Sequence, residues 1–311
     1  MKIVITGALG HIGSELIRQL PISFPNSQIV MIDNLTTQRF SSLYNLPEYG
    51  KYKFIELDVT KGSLDEALSG AEYVIHLAAI TDAASSFQNA KFVEENNLTG
   101  TMRVAEVCLK MRSKLIALSS TSVYGTQERI VDENCALENL MPQSPYAETK
   151  LKEESLLREL SQSGLQYVCL RFGTIYGSSI GMRFHTAVNK FCWQAVMKMP
   201  ITVWETAYEQ KRPYLDLTDA VKAIQHIIMQ NKYDCETYNV LTENLTVKDV
   251  VNTIKKYVPD LEINFVKHKI MNQLSYEVST EKIKETGFIY VGNIDSGVNN
   301  TISILKNSQE N

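Results

Sequence analysis

The chain has 311 residues, 44% of them hydrophobic and 21% charged, and a formal net charge of −4 at pH 7. That is enough chain for one large domain, or a domain plus a smaller lobe, in the composition range of an ordinary globular enzyme. The mild acidity and the lack of any Lys/Arg run longer than two argue against nucleic acid or an anionic membrane as a partner, and no apolar stretch approaches the roughly 20 residues of a membrane span.

The first half of the chain reads as alternating strands and helices. A strand is expected over Lys2–Thr6, a helix over 11–20, and strands over 29–33, 54–57 and Tyr73–His76. A long helix over Ala90–Met111 follows, then a strand at 115–119, a helix at 145–163 and a strand at 166–171. The early strands lack polar alternation, as strands buried on both faces do. This rhythm predicts an α/β fold, a Rossmann-type doubly wound parallel sheet with helices on both faces. Beyond residue 172 the elements shorten. Helices are expected at 187–198, 219–230 and 246–257 and a strand at 201–204. The expected division is therefore a dinucleotide-binding domain over 1–172 and a smaller C-terminal α/β lobe over 173–311, with some chain returning to the sheet. Cys108, Cys135, Cys169, Cys192 and Cys235 show no Cys-x-x-Cys spacing and no histidine at metal-ligand spacing. They read as reduced thiols, with no metal site and a cytoplasmic location. The opening run before Gly7 is too short for a signal peptide.

The chain enters its first helix through Gly7-Ala8-Leu9-Gly10-His11-Ile12-Gly13. Gly7 permits the tight turn, Gly10 lets the backbone approach a pyrophosphate, and Gly13 lets the helix pack on the sheet. The helix N-terminus points N–H groups and its positive dipole end at the phosphates. Asp33, about 20 residues on at the end of the second strand, is placed to bind the adenosine ribose hydroxyls and to repel a 2'-phosphate. The nearest following cation is Arg39, so NAD is expected rather than NADP. Asn34 adjoins that site, and Asp58 and Val59, after the third strand, are in reach of adenine.

Two tyrosines have a lysine four residues on. Tyr49/Lys53 follows no serine-rich strand or helix cap, whereas Tyr146/Lys150 follows Ser144-Pro145 and, further back, Ser119-Ser120-Thr121-Ser122-Val123-Tyr124-Gly125. Tyrosine is a poor base, with a free pKa of about 10. A lysine at i+4 shares its helix face and lowers that pKa. Tyr146 can then exchange a hydroxyl proton while a hydride moves to or from the cofactor. Ser120 would bond the same substrate oxygen, and Lys150 the nicotinamide ribose.

With these segments, His76-Leu77-Ala78-Ala79, Asn96-Asn97-Leu98-Thr99-Gly100-Thr101, Leu170-Arg171-Phe172 and Arg212–Asp219, the chain resembles the extended short-chain dehydrogenase/reductases, the nucleotide-sugar epimerases and dehydratases. The resemblance implies bound NAD, a nucleotide-sugar substrate and a homodimer formed through the helices near 90–111 and 145–163. It places Ser120, Tyr146 and Lys150 at the catalytic positions. It adds Leu77, Ala78, Ala79, Asn97 and Phe172 to the cofactor site. Thr81 and Ser122 fall on the sugar side, while Arg183, Asn189 and Arg212 are candidate diphosphate contacts, since the guanidinium fork bonds two phosphate oxygens. The 4,6-dehydratases of the family carry an acidic pair after the catalytic Thr, where this chain has Thr121 and Ser122, so a 4-epimerase is expected. The alternatives are a net dehydrogenase or reductase using the same residues and a non-catalytic NAD-binding sensor.

Overall fold

The computed structural model describes residues 1–81, 85–125, 130–267 and 275–308. In chain order the first half comprises β1 (Lys2–Thr6), α1 (His11–Ser23), β2 (Gln28–Asp33), β3 (Lys51–Glu56), α2 (Leu64–Leu68), β4 (Tyr73–His76), α3 (Ala90–Met111), β5 (Lys114–Ser120), α4 (Pro145–Ser161) and β6 (Tyr167–Phe172). The second half continues with β7 (Thr174–Tyr176), α5 (Ala187–Val196), β8 (Ile201–Trp204), β9 (Lys211–Asp216), α6 (Leu217–Met229), β10 (Thr237–Val240), β11 (Glu243–Thr246), α7 (Val247–Tyr257), β12 (Ile263–Val266), α8 (Glu281–Lys284) and α9 (Ile294–Lys306).

One sheet runs β10-β6-β5-β4-β1-β2-β3 with every pair parallel. β4 and β6 are buried along their whole length, which is why they read as unbroken apolar runs. β3 closes one edge and exposes Lys51, Lys53 and Glu56, charges that discourage pairing with another chain. α1 and α6 cover one face, where Leu16, Ile17 and Leu20 meet Ile224 and Ile227. α2, α3 and α4 cover the other through Leu64, Leu68, Val104, Cys108 and Leu157. Each such fully buried side chain contributes about 1.5–3 kcal/mol.

After β6 the chain divides its residues between two bodies. α6 and β10 return to the main sheet. The sheets β11-β9-β7 and β12-β8 pack with α5, α7 and α9 as a second lobe around Phe191, Val203, Tyr214, Val250 and Val298. α9 has no counterpart among the elements read from the sequence. Gly297, Asn299 and Asn300 weaken its helical signal. Tertiary burial of Ile294, Val298, Ile302 and Leu305 holds it in place.

Candidate active site

Strand order reverses at β1, which lies between β2 and β4. In such sheets a ligand crevice opens beyond the carboxyl ends of the strands at this point. Gly7 leaves β1 at φ +67, and a Cβ there would sit 2.7 Å from the Ala78 nitrogen. The glycine turn therefore lies directly on the half-buried Leu77-Ala78-Ala79 loop that leaves β4. A Cβ on Gly13 would meet the Ala8 carbonyl oxygen at 2.6 Å.

Asp33 closes the turn from the side of β2. Its Oδ2 accepts from the Leu9 N–H at 3.1 Å and its Oδ1 from Leu35 N–H at 3.0 Å. Asn34 Oδ1 accepts from Thr36 N–H. Asp58 accepts from the backbone and hydroxyl of Thr60 at 2.8 and 2.7 Å. Burial works to raise the Asp58 carboxyl, but the bonds from Thr60 and Asn34 outweigh it and hold the group below its usual range. Val59 is buried beside it. Asn97 is buried, with its amide spanning Ile80: it accepts from Ile80 N–H at 2.8 Å and donates to Ile80 O at 3.0 Å. Its present place is to fix the loop after β4 as a wall of the crevice.

The sequence reading did not assign a role to Arg39. Its Nη1 lies 3.5 Å from where a Gly10 Cβ would be, and its Nη2 is buried with no hydrogen-bond partner among the described residues. Burial and the nearby Arg183 charge push the guanidinium down to about 10, with Asp33 opposing. An unpartnered buried guanidinium nitrogen beside a turn rich in N–H groups suits a phosphate. Arg39 stands six residues past Asp33, and only the folding back of the 34–39 segment brings it to Gly10.

The second lobe clasps the same turn. His11 Nε2 bonds Gly177 O at 2.9 Å, Ser179 Oγ donates to His11 O at 2.8 Å, and Gly181 N–H donates to Ser14 Oγ at 3.0 Å. Burial holds the His11 imidazole down at about 4, so it is neutral. Ile12 packs at the margin of the sheet core.

The hydroxyl-bearing groups gather at the tip of β5. Ser120 ends that strand beside Phe172 of β6, and its Oγ caps the 3-10 turn Thr121–Tyr124 by accepting from Ser122 N–H at 3.2 Å. Ser122 Oγ is 2.9 Å from Ser120 Oγ, and Thr121 Oγ1 donates to Phe172 O. α4 packs against this turn. It starts where Ser144 accepts from Ala147 N–H at 3.2 Å and Pro145 occupies the first turn, a position where a missing N–H costs nothing. Tyr146 thus lies in the first turn of the helix, with Lys150 one turn on and its Nζ 5.8 Å from the Tyr146 ring centroid. Beneath them, Arg171 makes a two-pronged bond to Glu154 at 2.9 and 2.7 Å, and Tyr124 OH links Arg171 to Asn239. That buried pair ties β6, α4 and the serine turn together.

On the substrate side, Arg183 Nη2 donates to Thr81 Oγ1 at 2.5 Å, so two expected substrate residues from different lobes do meet. Asn189, expected on a diphosphate, is fully buried, and both ends of its amide bond Gly177 at 3.1 and 3.0 Å. It holds the loop after β7 and presents no free polar atom to a ligand in this structure. Arg212 lies half-buried on β9 and forms no ion pair among the described residues. The neighbouring acids are engaged elsewhere: Asp216 caps α6 through Thr218 N–H, and Asp219 accepts from Thr242, Val291 and Gly292.

Comparison with known proteins agrees with this geometry. The family model "NAD dependent epimerase/dehydratase family" matches residues 3–240. The uncharacterized UDP-glucose epimerase YtcB of Bacillus subtilis is 32% identical over 82% of this chain and 81% of its own. A trifunctional UDP-glucose 4,6-dehydratase/3,5-epimerase/reductase of Arabidopsis thaliana is 29% identical over 97% of this chain. The chain spans 46% of that plant protein's length. The solved UDP-glucuronic acid 4-epimerase of Bacillus cereus, in complex with UDP-glucuronic acid and NAD, superposes with a TM-score of 0.86 at 25% identity, covering 99% of this chain and 100% of that one. The residues fit the cofactor: the turn has no room for a Cβ at Gly7 or Gly13, Asp33 stands at the end of β2, and Arg39 offers a free donor atom. The chain is an enzyme of the NAD-dependent nucleotide-sugar epimerase/dehydratase family, with NAD as its cofactor.

Proposed function

We propose that the protein is a redox-neutral 4-epimerase of a nucleoside-diphospho-sugar. NAD, when bound, supplies the hydride acceptor and donor. Tyr146 takes the proton from the sugar hydroxyl as the carbinol carbon gives up hydride, and returns it after the keto sugar has turned over. Ser120 bonds the reacting oxygen. Lys150 favours the phenolate electrostatically and would hold the nicotinamide ribose. Gly7, Gly10, Gly13 and Arg39 hold the cofactor phosphates, and Asp33 the adenosine ribose. Arg183 and Arg212 take the substrate diphosphate, with Thr81 and Ser122 toward the sugar. The parallel-sheet body with α6 and β10 carries the cofactor, and the second lobe carries the two arginines for the substrate diphosphate.

The observation that carries this reading is the chemistry of the turn after Ser120. Elimination of water needs an acid and a base beyond the Tyr/Lys pair, and Thr121 and Ser122 are hydroxyls bonded to Phe172 O and Ser120. Epimerisation needs only Ser120, Tyr146, Lys150 and a retained cofactor. We also infer a homodimer through α3 and α4, whose neighbourhood exposes Phe87, Phe92 and Met102. Light scattering would check it.

The test is to incubate purified protein with UDP-, GDP-, CDP- and dTDP-sugars and separate the products. Interconversion of 4-epimers, with stoichiometric NAD found by mass spectrometry after denaturation, is the expected result. Products lighter by one water, or turnover that requires added NAD(H), would overturn the reading.

A further inference from the structure

Lys150 is followed in α4 by two buried glutamates with different fates. Glu154 is matched by Arg171 and also accepts from Ser119 Oγ at 2.5 Å. Glu153 points to the catalytic pair. Its Oε2 accepts from Lys150 Nζ at 2.9 Å and from Thr101 Oγ1 of α3 at 3.0 Å. Thr101 Oγ1 lies 3.2 Å from His76 Nε2, and His76 Nδ1 lies 2.7 Å from Thr6 Oγ1. Thr6 ends β1 immediately before the glycine turn, and its hydroxyl accepts from Ala78 N–H at 3.4 Å. A polar chain therefore runs from Lys150, beside Tyr146, to both loops of the cofactor crevice. Thr6, His76, Thr101, Lys150 and Glu153 are each at most 5% exposed.

A buried carboxylate is costly to keep ionised, and Glu153 Oε1 is buried with no hydrogen-bond partner among the described residues. A pair kept only for stability would gain as much from apolar side chains. We propose that Glu153 is a positioning residue for the reaction: it anchors the Lys150 ammonium beside Tyr146 and sets the pH range over which the phenol exchanges its proton. The inference rests on the roles given above to Tyr146 and Lys150.

The groups facing Glu153 are Lys150 and Tyr146 on its own helix, Thr101 on α3 and Cys169 on β6, with His76 of β4 bonded to Thr101 behind them. Burial, and secondarily the Lys150 charge, pushes His76 down to about 3, so it is neutral. Burial pushes the Cys169 thiol well up, so it is neutral too. Lys150 is therefore the cation opposite Glu153. Burial alone would lower the Lys150 ammonium, but Glu153 and then Tyr146 raise it overall. For Tyr146, burial raises the phenol, Lys150 pulls it down and Glu153 pushes it back up, so the group stands above its ordinary value and not, as the Tyr/Lys spacing alone suggests, below it. Glu153 thus offsets part of the lysine's effect on the phenol, while Tyr146 itself also favours the charged lysine.

Glu153→Gln keeps the volume and an acceptor but removes the charge. The phenolate then feels the full ammonium. The acid limb of the kcat/KM profile should move to lower pH by roughly one unit or more. Glu153→Asp, which keeps the charge but withdraws it from Lys150, should move it the same way by less. A readout that needs no sugar turnover separates this idea from the epimerase assignment. It is the ultraviolet tyrosinate titration of the NAD-loaded protein, with the curve of Tyr146→Phe subtracted. The Tyr146 transition should fall in Glu153→Gln and, less, in Glu153→Asp. A folded, NAD-retaining Gln variant with an unchanged or upward-shifted transition overturns the proposal. If the Gln variant does not fold, a Tyr146 transition in Glu153→Asp equal to wild type overturns it instead.

Discussion

A Cβ added at Gly7 would lie 2.7 Å from the Ala78 nitrogen, whereas truncating Arg212 breaks no ion pair among the described residues. The two walls of the crevice differ in this way throughout. The cofactor wall is mostly backbone, the glycine turn and the loop after β4 pinned by Asn97, with the Asp33 carboxylate bonded to Leu9 N–H and the Arg39 guanidinium set against it. The proposed substrate wall is made of long side chains, Arg183 and Arg212, and hydroxyls, Thr81 and Ser122, from distant segments. Backbone walls accept almost no substitution, while side-chain walls can be changed one residue at a time. The cofactor can stay fixed while the sugar varies.

The catalytic pair lies between the walls and should give the largest effect. Tyr146→Phe removes one phenolic oxygen from a helix whose cap and packing remain. Turnover should fall by about 10²–10⁴, with NAD content and thermal midpoint near wild type. A variant retaining most of its turnover would show that another group moves the proton. Next comes the backbone wall. Gly13→Ala puts a Cβ 2.6 Å from the Ala8 oxygen, and forced repacking of this kind costs about 1–3 kcal/mol. Denaturant unfolding should show that loss together with depleted NAD in the purified protein. Unchanged stability and full NAD content would mean the turn is softer than its geometry implies. Smaller again is the side-chain wall. Arg212→Ala should raise the Michaelis constant for a nucleotide sugar at least about tenfold, because charge-assisted bonds contribute about 1.5–3 kcal/mol each. Arg212→Lys should recover only part of it. NAD content should not change. Equal calorimetric affinity of wild type and Arg212→Ala for the free nucleoside diphosphate would remove Arg212 from the substrate site.

The same contrast explains what could be read before the structure. Lys2–Thr6, Tyr73–His76 and Ala90–Met111 have the bounds their sequences suggest, because buried strands and long helices carry their own pattern. The glycine turn and the Ser144-Pro145-Tyr146 helix start are local signals, so they were legible too. β7, β9 and β11 are strands whose pairing is set by remote partners, such as Thr174 with Tyr214 and Leu245 with Arg212. Nothing local marks them. Asn189 reads as a polar ligand contact because sequence cannot show that its amide is closed onto Gly177. Glu153 and Glu154 read alike as helix acids, and only the fold sends one to Arg171 and the other to Lys150. Arg39 reads as a loop cation until the chain folds back to Gly10.

The two walls meet at His11, and there the smallest effect is expected, visible only in acid. His11 belongs to the glycine turn, yet its Nε2 bonds Gly177 O of the second lobe at 2.9 Å. Burial holds the folded imidazole at about 4, below the value near 6.5 expected of an unfolded chain. Between those values the unfolded chain binds the proton more readily than the folded one, so protonation favours unfolding. The stabilising contribution is therefore complete above about pH 6.5 and is lost as pH falls toward 4. His76, held lower still at about 3, adds a slope of the same sign, so the wild-type curve alone does not isolate His11. His11→Gln does. Its amide can still donate to Gly177 O but does not titrate, and His76 is common to both proteins. The thermal midpoints of the two should lie close at pH 7.5, and that of wild type should fall more steeply below pH 6.5. Parallel curves down to pH 4.5 would mean that protonated His11 is accommodated in the folded state, and that the clasp between the lobes is looser than the 2.9 Å contact implies.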